Sequence, residues 1–162
     1  MVSQKLGDQV GPTEVRYGQV WTTCESARLV DVVRTLKEDP DLSCDYFTFL
    51  SAIDWQEKGF EIIVMVFSTM ASMTVGIKVP LGAGVSSLPS ITSVYRGANW
   101  HERETAEMFG INFEGHPNLV KLYLSEDFIG HPLLKSFKLA SRTYKPWPGA
   151  KDPGEAAGGG RG

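Results

Sequence analysis

The most chemically distinctive part of the sequence is the charged run His101-Glu102-Arg103-Glu104-Thr105. It starts like the helical zinc-protease motif, in which two histidines four positions apart bind zinc. Thr105 stands where the second histidine is required, so the sequence does not support that class of enzyme. Glu104 and Glu107 share a helix face, but adjacent turns of one helix do not form the substrate cleft that paired catalytic carboxylates need. We therefore predict no catalytic, cofactor-binding or metal-binding residues in this chain.

Two histidines lie in similar segments fifteen residues apart, which are 114–119 and 129–134. We interpret both segments as turns in which His116 and His131 donate structural hydrogen bonds, because no cysteine lies near in sequence to complete a metal site. The two cysteines, Cys24 and Cys44, indicate reduced thiols rather than a disulfide framework. They are too few to ligate an iron–sulfur cluster.

Other catalytic and nucleotide-binding patterns are missing. The sequence contains no Gly-x-Ser-x-Gly nucleophile motif, and Gly82-Ala83-Gly84 lacks the third glycine or the lysine of a phosphate-binding loop. The chain has 162 residues, 42% of them apolar, and a formal charge of −3. This composition predicts one compact domain without a general attraction for nucleic acid or anionic lipid.

The sequence predicts neither a membrane-spanning helix nor export. The longest apolar run, 62–67, is far shorter than the roughly 20 residues of a membrane-spanning helix. The first ten residues lack the apolar stretch of a signal peptide, so we do not expect export.

The periodicity of apolar residues predicts the elements that position the charged run. A capping box at Thr22 and Glu25 would start an amphipathic helix that ends near Asp39-Pro40. Strands are predicted over 45–53, 60–69 and 73–79, and a short helix over 90–95. Asn99 would cap a helix over 100–109, with Glu102 at its capping-box position and Gly110 as its left-handed C-terminal residue.

These elements predict an α+β fold, a two-layer domain with a small mixed β-sheet packed by helices and followed by a long extended C-terminal tail. Residues 1–19 form an adapting N-terminal segment, and 20–118 form the domain. Residues 119–162 form a partner-wrapping tail, Gly-rich and expected to be disordered after 153. Between His131 and Lys151 the tail has five basic residues and no acid, together with apolar side chains that favour a partner.

Three segments, 100–111, 114–117 and 130–133, resemble the C-subunit family of NADH-quinone oxidoreductase, respiratory complex I. The family's Glu-Arg-Glu motif, followed by an acid and two hydrophobic residues, has every position filled here. The matching residues are Glu102, Arg103, Glu104, Glu107, Met108 and Phe109, with His116 seven positions further on. At three positions where members of the family commonly have a basic or acidic residue, the chain has Val120, Leu134 and Ser136 instead.

The resemblance implies a bacterial peripheral-arm subunit without a redox centre of its own. It would dock to the adjacent quinone-site subunit (the D-subunit), near the iron–sulfur subunits (the B- and I-subunits), on the cytoplasmic side of the cell membrane. FMN and iron–sulfur clusters would belong to the partner subunits, and the whole complex would pass electrons from NADH to quinone while translocating protons. The docking residues that the motif implies are Glu102, Arg103, Glu104, Glu107, His116, His131 and Lys135.

In that setting we expect Arg103 to pair with Glu104 or Glu107, because charges buried at an interface must be paired. Phe128, Phe137 and Trp147 in the tail would add apolar area against the partner. Two alternatives stay open from the sequence. One is the equivalent subunit of a ferredoxin-dependent quinone reductase or a membrane-bound hydrogenase, and the more remote one is a free-standing binding module.

Overall fold

The computed structural model describes residues 2–139 and contains three α-helices. They are α1 (Val2–Leu6), α2 (Leu29–Glu38) and α3 (Ala98–Phe109). Short 3₁₀ turns cover Gly7–Gln9, Ser26–Arg28 and Gln56–Lys58. Among the described residues, no helix is both long enough and apolar enough to cross a membrane.

The helices pack against a five-stranded mixed sheet. Its strands are β1 (Glu14–Arg16), β2 (Gln19–Thr23), β3 (Tyr46–Asp54), β4 (Phe60–Ser68) and β5 (Met73–Leu81), in the order β1-β2-β5-β4-β3. Within this sheet the β2–β5 pair is parallel, and the other pairs are antiparallel. A small second sheet pairs β6 (Ser87–Pro89) with β7 (Asn112–Glu114) in parallel. The predicted α+β class and the mixed sheet are confirmed.

The core lies between the sheet and the helices. Helix α2 contributes residues at helical spacing, all fully buried: Leu29, Val32, Val33 and Leu36. The helix ends at Glu38 because Asp39 precedes a proline, which disfavours helical backbone, and Asp39 is extended with ψ 123°. The central strand β4 is apolar on both faces, as predicted, and lies between β3 and β5.

The N-terminal part is more structured than the sequence predicts. Val2 and Leu6 of α1 are buried in the core, and β1 pairs with β2. The capping box predicted at Thr22 is wrong, because Thr22 lies in β2 and its buried hydroxyl donates to the carbonyl oxygen of Gly11 at 3.2 Å. A 3₁₀ turn precedes α2 instead.

The segment before α3 also differs from prediction. The helix expected over 90–95 is wrong, because this segment forms consecutive turns. Strand β6 lies just before it, where the sequence analysis names no strand. Helix α3 begins at Ala98, so Asn99 lies inside the helix and is not its cap. Gly110 follows the helix with φ 75°, in the predicted left-handed conformation.

Both cysteines are buried and free. Burial raises the pKa of the Cys24 thiol to about 12 and that of Cys44 to about 11, so neither is a thiolate at neutral pH. On β5, Gly76 lies under the ring of Trp21 of the neighbouring strand. A Cβ atom at Gly76 would come within 2.5 Å of the Trp21 ring.

Candidate docking site

Helix α3 is fixed along the edge strand β3. The ring of His101 stands edge-on to Phe47, with 5.3 Å between centroids, and its Nδ1 lies 3.3 Å from the carbonyl oxygen of Leu50. Because α3 covers the edge of the sheet, its other faces are available to the segment that follows β7.

Two charged residues of α3 hold that following segment. The Arg103 guanidinium donates from Nε to the carbonyl oxygen of Val120 and from Nη2 to that of Lys121, both at 2.9 Å. The carboxylate of Glu107 accepts hydrogen bonds from the amides of Leu122, Tyr123 and Leu124, at 3.0, 2.9 and 2.7 Å. A segment without helix or strand thereby receives backbone partners from two side chains one helical turn apart. We call residues 119–124 the docking loop.

The electrostatics of Glu107 fit this arrangement. Its side chain is largely buried, which alone would raise its pKa, but the three amide hydrogen bonds and the nearby Lys121 ammonium lower the pKa below its ordinary value. The ion pair predicted between Arg103 and Glu104 or Glu107 is wrong, because within residues 2–139 no ion pair joins Arg103 to either acid. Both Arg103 and Glu107 bind backbone groups of the docking loop instead.

The two histidine turns bind opposite ends of α3. His116 Nε2 lies 3.2 Å from the carbonyl oxygen of Asn99, and His131 Nδ1 lies 2.8 Å from that of Glu107. A carbonyl oxygen only accepts, so each ring nitrogen is the donor, as the sequence predicts. The amide of Leu133 donates to the carbonyl oxygen of Met108 at 3.1 Å. The second turn therefore supplies donors to carbonyls that the end of the helix leaves without intrahelical partners.

Glu102 has a different environment from its neighbours in the motif. Its side chain is fully buried and accepts hydrogen bonds of 2.7 Å from the Ser90 hydroxyl and the Ile91 amide. His116 Nε2 lies 4.0 Å from its Oε2. Burial raises the pKa of Glu102 to about 7, and the two hydrogen bonds only partly oppose that rise. Glu102 therefore joins α3 to the turn before it inside the fold.

The remaining predicted docking residues are more accessible. Glu104 is partly exposed on α3, and its side chain makes no hydrogen bond with any described residue. Lys135 is exposed, and its backbone amide donates to the carboxylate of Asp54 at 2.8 Å. The structure thus brings six of the seven predicted residues together around α3, and Lys135 lies at the end of β3.

Apolar side chains point outward around the motif. Trp100 is 60% exposed with the Arg103 guanidinium 5.5 Å from its ring, Val120 is 50% exposed, and Tyr123 is 64% exposed. We call these three side chains the apolar patch. The charged groups of Arg103 and Glu107 face the backbone of the docking loop, and two of the three exposed apolar side chains belong to that loop.

The sequence analysis does not identify Lys121, whose side chain binds the backbone of the segment that follows it. Its ammonium donates to three carbonyl oxygens, those of Ser125, Glu126 and Phe128, at 3.0 to 3.1 Å. The only signal was its position beside Val120, where the resemblance implies a pair of basic residues. One of the two basic positions is therefore filled and has a structural role.

The start of the tail packs on its own chain. Phe128 and Phe137 stack with 6.0 Å between ring centroids, and Leu119 and Leu134 pack against the core. Phe128 and Phe137 thus contact each other within the chain, and their contribution of apolar area to a partner surface stays a prediction. Trp147 and the segment after 153 lie outside the described residues. Across 2–139, no group of three or more His, Cys, Asp or Glu side chains is arranged to hold a metal ion.

Comparison with known proteins agrees with the fold and the motif. Residues 22–143 match the family model of the respiratory-chain NADH dehydrogenase 30 kDa subunit. The chain is 37% identical over 134 residues to the NADH-quinone oxidoreductase C-subunit of Roseiflexus sp. (strain RS-1), covering 82% of this chain and 76% of that protein. It is 33% identical over 139 residues to the C-subunit of Citrifermentans bemidjiense, covering 85% of this chain and 84% of that protein.

Two solved structures share the fold at 20% sequence identity. One is a trypsin-resistant fragment of Nqo5, with a TM-score of 0.60 over 73% of this chain and 96% of that one. The other is a chain of the archaeal membrane-bound sulfane sulfur reductase, with a TM-score of 0.64 over 78% and 75%. The match to the family model and the two relatives at 37% and 33% identity define a subunit of a respiratory enzyme complex. The chain belongs to the C-subunit family of NADH-quinone oxidoreductase, respiratory complex I.

Proposed function

We propose that this chain is a non-redox subunit of the peripheral arm of a proton-translocating NADH-quinone oxidoreductase. It supports electron transfer by docking to the quinone-site subunit (the D-subunit), close to the iron–sulfur B- and I-subunits. FMN and the iron–sulfur clusters belong to the partner subunits. The complex places the chain on the cytoplasmic side of the bacterial cell membrane. The family membership and the relatives named above support this proposal.

The observation that carries the proposal is the way α3 builds the docking loop. Arg103 and Glu107 together make five hydrogen bonds to the backbone of 120–124, which fixes a segment that has no helix or strand. A loop that is ordered before it meets a partner loses less conformational entropy on binding. The patch of Trp100, Val120 and Tyr123 on this rigid base is the kind of surface that forms the centre of a protein interface.

The seven motif residues then divide into two roles. Glu102, Arg103, Glu107, His116 and His131 are positioning residues, because their side chains bind groups of this chain. Glu104 and Lys135 are accessible and suit polar contacts at the rim of the interface, where exposed charges direct association more than they add affinity.

Affinity purification of the tagged chain from its native membranes in mild detergent tests the proposal. Tyr123→Ala removes an exposed aromatic side chain of the apolar patch, and Tyr46→Ala is a matched control, since Tyr46 is 60% exposed at the start of β3. We expect Tyr123→Ala to lower recovery of the quinone-site subunit and NADH-to-quinone activity together. Tyr46→Ala should behave like the unmodified chain.

The proposal fails in either of two cases. The chain could be recovered without any quinone-site or iron–sulfur subunit, which would contradict membership of the assembled complex. Equal loss of recovery for Tyr123→Ala and Tyr46→Ala, with both variants folded, would contradict the assignment of the docking surface.

A further inference from the structure

The buried carboxyl group of Glu102 lacks a positively charged partner. Its side chain and that of His116 are both completely buried. Within residues 2–139, no Lys or Arg nitrogen lies within 4.0 Å of the Glu102 carboxylate. Its neighbours along α3 bind elsewhere, since His101 contacts β3 and Arg103 binds the docking loop. Among the described residues, His116 is the only histidine, lysine or arginine with a side-chain nitrogen within 4.0 Å of the Glu102 carboxylate.

The hydrogen bonds of His116 determine which nitrogen carries a proton. Nε2 faces the carbonyl oxygen of Asn99 at 3.2 Å and must therefore donate. Nδ1 receives the backbone N–H of Asn118 at 3.0 Å and must therefore be unprotonated. The imidazole is thus neutral, because a doubly protonated ring would place two donors against each other at Asn118. His116 gives Glu102 no positive charge.

The other groups around Glu102 are neutral as well. The Ser90 hydroxyl and the Ile91 amide bind its two oxygens, and Ser90 Oγ lies 2.7 Å from Thr92 Oγ1. A hydroxyl can donate to a carboxylate or accept from a carboxylic acid, so Ser90 can satisfy either protonation state. An ionised carboxylate with no cation is costly inside a protein, whereas a protonated one needs no counter-charge.

We propose that Glu102, neutral His116 and Ser90 form a buried proton-binding site that fastens the turns at 90–92 and 115–118 to α3. The bound proton keeps the site uncharged. Loss of the proton leaves a buried charge and loosens both turns from the helix. This inference concerns the folded chain itself and does not depend on assembly into a larger complex.

Carboxyl carbon NMR of the full purified chain tests the site directly. The Glu102 resonance, assigned through its own side-chain carbons, should titrate near neutral pH and not near about 4.3, the ordinary value for glutamate. Titration of Glu102 in the ordinary range would overturn the proposal.

Urea unfolding at several pH values gives a second, independent readout. The folded state binds the Glu102 proton more tightly than the unfolded state, so the contribution of Glu102 to the folding equilibrium constant should fall as pH rises. Between about pH 5 and about pH 8 we expect the folding equilibrium constant of the native chain, divided by that of Glu102→Gln, to fall by roughly tenfold to a hundredfold. Glu102→Gln is neutral and of the same shape, and Glu104→Gln on the same helix should show the same fall relative to Glu102→Gln as the native chain does. An unchanged pH dependence in folded Glu102→Gln would contradict the proton site.

Discussion

Replacing Glu107 by glutamine tests whether one carboxylate holds the docking loop. In the native chain, Oε2 accepts from the amides of Leu122 and Tyr123, and Oε1 accepts from that of Leu124. Glu107→Gln keeps the size and shape of the side chain but replaces one of these oxygens by an NH₂ group. Since NH₂ is a donor, at least one backbone N–H of the loop faces another donor in either orientation of the amide.

The expected cost follows from this lost acceptor. A buried N–H left without a partner costs about 1–3 kcal/mol, and hydrogen bonds to a charged acceptor are stronger than those to an amide. The loop amides are only partly buried, so water can replace some of the lost interaction. We therefore expect about 1–2 kcal/mol, which corresponds to roughly tenfold more frequent local opening of 122–124.

Amide hydrogen exchange of the full chain measures this opening residue by residue. Exchange at 122–124 should accelerate in Glu107→Gln, while amides in the centre of β4 should change little. Glu104→Gln is the control, because it removes the same kind of charge from the same helix at a side chain without a hydrogen bond to any described residue. Unchanged exchange at 122–124 in Glu107→Gln would refute the role assigned to this carboxylate.

Three further predictions follow from the described contacts. Arg103→Lys should accelerate exchange or limited proteolysis at 119–124, because an ammonium cannot reproduce the two guanidinium bonds to the carbonyls of 120 and 121. Gly76→Ala should lower the free energy of unfolding by about 1–3 kcal/mol in urea denaturation, because a Cβ would collide with Trp21. The control Gly82→Ala meets no atom within 4 Å and should change stability by less than about 0.5 kcal/mol. In acid, the three amide hydrogen bonds and Lys121 hold the folded pKa of Glu107 below the ordinary glutamate value of about 4.3. The stabilisation from Glu107 is therefore present above that value, and amide protection at 122–124 should fall as pH drops through the lower folded pKa.

The sheet and the helix containing the motif could be predicted because their signals are local. Apolar residues on both faces of 60–69 identify a central strand, and Leu29, Val33 and Leu36 mark a helix face. The N-terminal part was underestimated because α1 has only five residues, too few to show a period. Thr22 looked like a helix cap because its spacing to Glu25 is right, but pairing with β5 places it in a strand instead.

The hydrogen-bond partners of the charged motif could not be predicted from the sequence. Arg103 and Glu107 lie four positions apart. On a helix, that spacing alone suggests only an ion pair between the two side chains. Their actual partners are backbone groups 15 to 18 residues further along the chain. Glu102 looked like a capping residue but is buried against Ser90 and Ile91. Such partners depend on the tertiary fold and leave no periodic signal.

The most direct test of the complex I account is recovery of the tagged chain from native membranes, with mass spectrometry of its partners and an assay of NADH-to-quinone activity. We expect the quinone-site subunit and the iron–sulfur subunits to come with the tagged chain, and the purified assembly to reduce quinone with NADH. Recovery of the folded chain alone, with the quinone-site subunit present in the same membranes but absent from the eluate, would contradict it.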